Sequence, residues 1–154
     1  SRSEQGEVMG IYLAELKGQY HTFLAGIRCR DQMVDALLCY KDTFCRQQGI
    51  STEFSLQQYD RGCLEEQEVA ALLLMLFDGA IQSCLKNAAE GHISLNMSLV
   101  KGQFLAEISY SGRQKLTKEG IRPILSRHDG TLLQKRTRTG RTAKILLQAS
   151  PMPE

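Results

Sequence analysis

Two segments of strict alternation, joined by two residues, most limit what this chain can become. Ile93, Leu95, Met97 and Leu99 alternate with His92, Ser94, Asn96 and Ser98; Lys101-Gly102 follows; then Phe104, Ala106, Ile108 and Tyr110 share a face. A repeat of two puts successive side chains on opposite sides of a strand, so the pair predicts a hairpin lying over a core. Such a face needs a second layer to cover it. The stretch from Leu64 to about Asn87 can supply that layer: it is rich in Leu and Ala, it carries Glu65, Glu66 and Glu68 where a helix dipole favours acids, and its middle is apolar on nearly every side. It is predicted as a buried central helix.

The remaining elements follow from the same signals. Ile50, Thr52, Phe54 and Leu56 alternate with polar neighbours and predict a strand, and Tyr59-Asp60-Arg61-Gly62 is a turn cluster. Ile121 to Arg127 predicts a brief helix with Pro123 in its first turn. Thr131 to Arg138 and Arg141 to Ala149 predict a second hairpin around Thr139-Gly140, with Ala143, Ile145 and Leu147 inward, and Pro151 and Pro153 end the order, leaving 151–154 as a disordered tail. Strands arriving in hairpins with helices gathered on one face give an α+β fold, a two-layer α/β sandwich. A doubly wound nucleotide fold is excluded because no GxGxxG follows a strand.

Residues 1–48 read as a helical arm ahead of a domain at 49–150. Leu16, Tyr20, Phe23, Ile27, Val34, Leu37 and Phe44 follow steps of four and three, with Arg30 and Lys41 filling the two missing positions, a coiled-coil stripe with a break or bend expected near Arg28 to Asp31 and an end at Gln47-Gln48-Gly49. Gly10, Gly18 and Gly26 each weaken a helix by about 1 kcal/mol relative to alanine, so the segment needs a packing partner. That partner is a second copy of the chain, giving a homodimer, or an upstream helix outside this sequence, or else the domain that follows. The first is the expectation.

Composition narrows the function classes. With 154 residues and 42% hydrophobic content the chain can bury one core. The densest apolar run, Leu72 to Phe77, is closed by Asp78 and Gly79, and Ser1 to Glu7 show no signal-peptide pattern, so no membrane contact from this chain is expected. Cys29, Cys39, Cys45, Cys63 and Cys84 are an odd number without CxxC spacing, which reads as reduced thiols in a cytoplasmic protein with no structural metal. Charge is uneven: residues 113 to 144 carry ten Lys or Arg against Glu119 and Asp129, a net +8 on a body of −6. Arg113, Lys115, Lys118, Lys135, Arg136, Arg138, Arg141 and Lys144 then form either a basic surface for an acidic partner or an ordinary solvated face. Nucleic acid is not the expected partner, because no aromatics interleave with these residues for bases to stack on.

The order of elements and the text of several segments resemble the ATP-binding domain of sensor histidine kinases, the sandwich shared with gyrase and MutL. The segments are Met33 to Lys41, Gly49-Ile50, Leu72 to Ser83 and Gly120 to Gly130, together spanning roughly Asp31 to Gln148. The branch they resemble is that of the peptide-responsive quorum-sensing sensors. The resemblance implies that residues 8–30 belong to the second helix of a dimerisation hairpin, that the parent family uses ATP and Mg²⁺, and that a response regulator or another signalling protein is the partner.

It also implies where the nucleotide site should lie. The family's "NLLDNAIEA" falls on Met75 to Ser83, so Met75 and Gly79 stand where two asparagines are expected, with Asp78 retained and Gln82 at the glutamate position. Gly79 has no side-chain oxygen for Mg²⁺, and the Met75 thioether is a poor partner for a hard cation. The adenine-reading acid followed by glycine appears as Tyr110-Ser111-Gly112, with a ring in place of the acceptor. The glycine-rich lid that would hold phosphates on backbone amides is reduced to Gly120 and the few residues between Arg113 and Glu119, and Pro123 removes one more N–H. Three losses together predict a pseudokinase: a degenerate ATP site, no catalytic residues, no bound cofactor or metal, and signalling by conformational coupling. His21 lies too close to Lys41 to be the phosphoacceptor, and His92 and His128 have no nucleophile at motif spacing. The alternative is a non-enzymatic adaptor that holds an acidic partner through residues 113–144.

Overall fold

The structure, a computed structural model, describes residues 2–20, 29–87 and 89–150. Its elements are α1 (Arg2–Tyr20), α2 (Gln32–Gln47), β1 (Ile50–Ser55), α3 (Glu66–Leu85), β2 (Gly91–Val100), β3 (Gln103–Tyr110), a 3₁₀ turn (Glu119–Ile121), α4 (Arg122–Arg127), β4 (Thr131–Thr137) and β5 (Gly140–Gln148). The five strands form one sheet in the order β1-β2-β3-β5-β4. β1 and β2 run parallel with α3 as their crossover, and every other pair is antiparallel. This is the predicted two-layer sandwich, with the helices on one face.

Alternation sets which side of each strand is buried. Ile93, Leu95 and Met97 on β2, Phe104, Ala106 and Ile108 on β3, and Ala143, Ile145 and Leu147 on β5 all lie within 1% of full burial. Register stacks them across the sheet: Leu95 opposite Ile108, Ile108 opposite Ala143, Phe104 opposite Leu147. The β2–β3 turn is made by Lys101 and Gly102, both at positive φ (53° and 77°), the conformation that suits a two-residue hairpin.

α3 presses Val69, Leu72, Leu73, Leu76, Phe77 and Ala80 into that face, all 1% exposed or less. Phe77 also stacks on Phe54 of β1 at 5.9 Å between centroids. Truncating Phe77 to alanine would remove about 3–5 kcal/mol of packing. The helix has a mean hydropathy of 1.6 over a membrane-spanning length, yet its apolar side chains are covered by the sheet and α2. Its hydrophobicity therefore follows from its central position in the core.

The N-terminal stripe is broken where expected. Asp31 caps α2 through its carboxylate, which accepts from Val34 N–H (3.3 Å) and from the Tyr59 hydroxyl (2.8 Å), and Arg30 turns the chain at φ 69°. Gly49, at φ 74°, follows the end of α2 as predicted. The role assigned to the stripe is corrected at two positions. Val34 and Leu37, expected on a dimer seam, are fully buried in the same core as the sheet, so α2 docks on the domain. An apolar helix face beside an uncovered edge of α3 buries itself within the chain first. α1 in turn packs Met9, Tyr12 and Leu13 on this core. The side chains of Leu16 and Tyr20, and Phe23, Ile27 and His21 altogether, lie outside the described residues, as does the tail at 151–154.

One polar cluster ties the two ends of the helical layer. The Glu68 carboxylate accepts from its own helix start at Glu65 N–H (3.0 Å) and from Arg127 (2.7 Å), and His128 Nε2 sits 2.9 Å away. Burial pushes this carboxyl up, but the Glu65 N–H, His128 and Arg127 together outweigh it and hold it below the usual carboxylate range. A lowered folded value means that Glu68 stabilises the fold above the unfolded carboxyl's pKa and that this contribution fades as pH falls through the folded one. Glu68→Gln is therefore expected to cost about 1–3 kcal/mol near neutral pH. In urea titrations between pH 7 and pH 3 the gap between the two proteins should narrow in acid; a gap independent of pH would show that the charge is immaterial.

Candidate functional site

Of the positions expected to hold a nucleotide, Gly79 and Gly112 lie against the chain's own segments, which fill the space there. Met75 and Gly79 lie one turn apart on α3, so they share a face, and Ser83 continues it by another turn. The segment after β3 crosses this face. A Cβ on Gly79 would overlap Leu116 Cδ2, and a Cβ on Gly112 would overlap Ser83 Oγ. Two glycines thus let the loop lie directly against the helix. Leu116, 6% exposed, belongs to the hydrophobic core.

Hydrogen bonds fix the loop at three points. Gln114 N–H donates to Ser83 Oγ (2.9 Å), and the Tyr110 hydroxyl donates to Gln114 C=O (2.6 Å). Gln134 on β4 clasps Leu116 from the other side: its Oε1 accepts from Leu116 N–H (2.8 Å) and its Nε2 donates to Leu116 C=O (2.9 Å). An amide side chain that satisfies both backbone groups of one residue lets that residue be buried in a loop.

Each remaining site residue has a definite place. Asp78 points to α2 and forms an ion pair with Lys41 at 2.5 Å. Gln82 is exposed, Met75 is partly buried against the core, and Gly120 sits in the 3₁₀ turn with open space around it. Tyr110 is 3% exposed. Burial raises its hydroxyl pKa against the opposing pull of the Arg141 guanidinium beside it. A buried ring therefore stands where the resemblance implies an adenine acceptor. His92 Nδ1 lies 2.8 Å from Ser51 Oγ across β1 and β2, an exposed serine–histidine contact that spacing along the sequence does not reveal, and His128 is held in the Glu68 cluster. The five cysteines form no disulfide, and burial pushes the Cys29 thiol up to about 12 and the Cys45 thiol up to about 11, far from a reactive thiolate at neutral pH.

The basic region is corrected at one position. Arg113, Lys115, Lys118, Lys135, Arg136 and Arg138 are exposed, and Lys144 pairs with Glu107 at 3.6 Å, but Arg141 is 6% exposed and belongs to the interior. Sequence reasoning also missed Leu116, Gln134 and Ser83 as the parts that close the cleft. One signal was present: Leu116 is the lone apolar residue in the polar stretch Ser111 to Glu119.

An asparagine at position 79 should disturb this closure. Gly79→Asn is expected to destabilise by about 1–3 kcal/mol through overpacking on Leu116. Combining it with Leu116→Ala should cost less than the sum of the two single changes, measured by urea unfolding of all three variants. Strict additivity would mean that the two residues do not meet.

No family profile matches the sequence, and no curated protein matches it. Solved structures do. The histidine kinase domain of the blue-light activated histidine kinase from Erythrobacter litoralis superposes with a TM-score of 0.64 at 14% identity, over 92% of this chain and 74% of that one. Acinetobacter baumannii histidine kinase AdeS matches with a TM-score of 0.58 at 12% identity, over 95% of this chain and 81% of that one. Histidine kinase ThkA in complex with the response regulator protein TrrA matches with a TM-score of 0.64 at 13% identity, over 82% of this chain and 42% of that one. The chain carries the fold of histidine kinase catalytic domains, with the face of α3 at Gly79 covered by its own loop.

Proposed function

We propose that this chain is the C-terminal, cytoplasmic part of a two-component sensor histidine kinase homologue, of the quorum-sensing branch, whose nucleotide cleft is closed and whose output is conformational. The observation that carries the reading is Leu116 seated on Gly79. A ligand carbonyl for Mg²⁺ would have to occupy the volume of that side chain, and phosphates would need the backbone amides that Gln134 and Ser83 already engage. Opening the site means exposing a buried leucine and breaking the hydrogen bonds that Ser83, Gln134 and Tyr110 make with the loop, so triphosphate binding has to overcome that cost before any gain. A signalling partner of the response-regulator kind belongs to this reading, supported by the complex of ThkA with TrrA.

Calorimetric titration with Mg-ATP should give no saturable heat below millimolar concentration, and autophosphorylation from labelled ATP should be absent. Micromolar binding with a divalent ion would restore the enzyme. Homodimerisation is part of the same proposal. With Val34 and Leu37 inside the fold, the available surface on α1 is the outer face that holds Val8 and Ile11, 67% and 63% exposed. Sedimentation velocity should find a dimer that Ile11→Asp converts to monomer; a monomer at all concentrations would remove this element.

A second reading, an adaptor for an acidic partner, is favoured by the exposure of Lys135, Arg136 and Arg138 on β4 and its turn. It predicts salt-sensitive retention on polyanions that reversing Arg136 and Arg138 abolishes.

A further inference from the structure

At the far end of the sheet, between the end of α3, the residue after β3 and the tip of the β4–β5 hairpin, lies a cleft of about 450 Å³. Asn87 and Ser111 form one wall, and Arg113, Arg136, Arg138 and Arg141 are among the rest of the lining; among the described residues no acidic side chain lines it. Four guanidinium groups around one small cleft without a carboxylate is an arrangement that a chain does not hold for its own stability.

Arg141 makes the point sharply. It is 6% exposed, and among the described residues no carboxylate pairs with it. Its Nε is buried without a hydrogen-bond partner. The Tyr110 hydroxyl stands beside it, but its proton already goes to Gln114, so the tyrosine can offer only its oxygen. Arg136 stands directly opposite Arg141 in the β4–β5 ladder, on the same face of the sheet. Like charges placed opposite each other repel, and a buried cation lacking a counter-ion is costlier still. The C-terminal end of α3 contributes about half a negative charge at most, which does not balance four cations.

We propose that this cleft is a binding site for a phosphate-class oxyanion, with Arg141 as its buried cation and Arg136, Arg138 and Arg113 closing around it. The guanidinium fork matches two oxygens of a phosphate in plane, and several forks at one point suit a multiply charged group better than one carboxylate. Asn87 is already committed, its Nδ2 donating to Ser111 C=O at 3.0 Å, so it holds the wall in place rather than the ligand. The anion is either a free phosphate compound or a phosphoryl group carried on a protein. The site deepens the second reading above and rests on its exposed arginines. Small-ion binding and retention of an acidic protein are separate measurements, so either can fail alone.

The test uses the full chain, titrated with inorganic pyrophosphate at constant ionic strength and followed by backbone amide shifts and calorimetry. Saturable binding is expected, with the largest shifts at Ser111 and Gly140. Arg136→Gln and Arg138→Gln, both at exposed positions that leave the core intact, should each weaken it about tenfold, equivalent to about 1.4 kcal/mol. Arg141→Met removes an uncompensated buried charge, so it should keep or raise the urea midpoint while losing the response to pyrophosphate. A phosphoserine peptide that binds more tightly than pyrophosphate would identify a protein-borne group; the reverse order would identify a free compound. Non-saturating shifts equal to those given by chloride, binding indifferent to Arg136 and Arg138, or shifts centred on Leu116 and Gly79 would each overturn the proposal.

Discussion

A helix that is apolar on nearly every side must be covered on nearly every side, and α3 imposes that requirement on everything around it. The sheet covers one flank with β2, β3 and β5, and α2 covers another with Met33, Val34, Leu37 and Leu38. The flank at Gly79 remains, and in this chain a short loop supplies the missing cover through a single leucine. Once Leu116 is accepted as part of the core, the polar residues around it follow as consequences. Gln134 and Ser83 are there because a buried loop needs its backbone groups satisfied.

The same logic links the residues around the loop. Glycine at 79 makes room for the Leu116 side chain to land. The Tyr110 hydroxyl anchors the loop at Gln114. Each adds a contact that closes this face of α3. The arrangement is a consistent packed solution, in which local choices agree with one another.

Much of the architecture could be read from periodicity. Alternation in 92–110 and 131–149 located four strands and their inward faces, since the period of two has a direct geometric meaning. The short helix at Pro123 and the end of α2 near Gly49 followed from local backbone preferences. What periodicity could not reveal was the identity of a stripe's partner. Val34 and Leu37 carry the same pattern whether they face a second chain or the next element, because the pattern records only that a face is covered. Nor could charge counting separate Arg141 from its neighbours, because burial of a cation depends on register, here its place opposite Tyr110 and Arg136. Leu116 escaped for a related reason: one apolar residue in a loop has no period at all.

β4 is the last strand of the sheet, and its outer row of backbone donors and acceptors has no neighbouring strand among the described residues. Such a rim would invite another copy to add on and grow a ribbon, particularly with Leu133 57% exposed along it. Lys135 and Arg136 stand on that rim as like-signed posts, and two identical rims brought side by side would set cation against cation. The surplus of positive charge in this third of the molecule therefore also works as a guard against self-stacking.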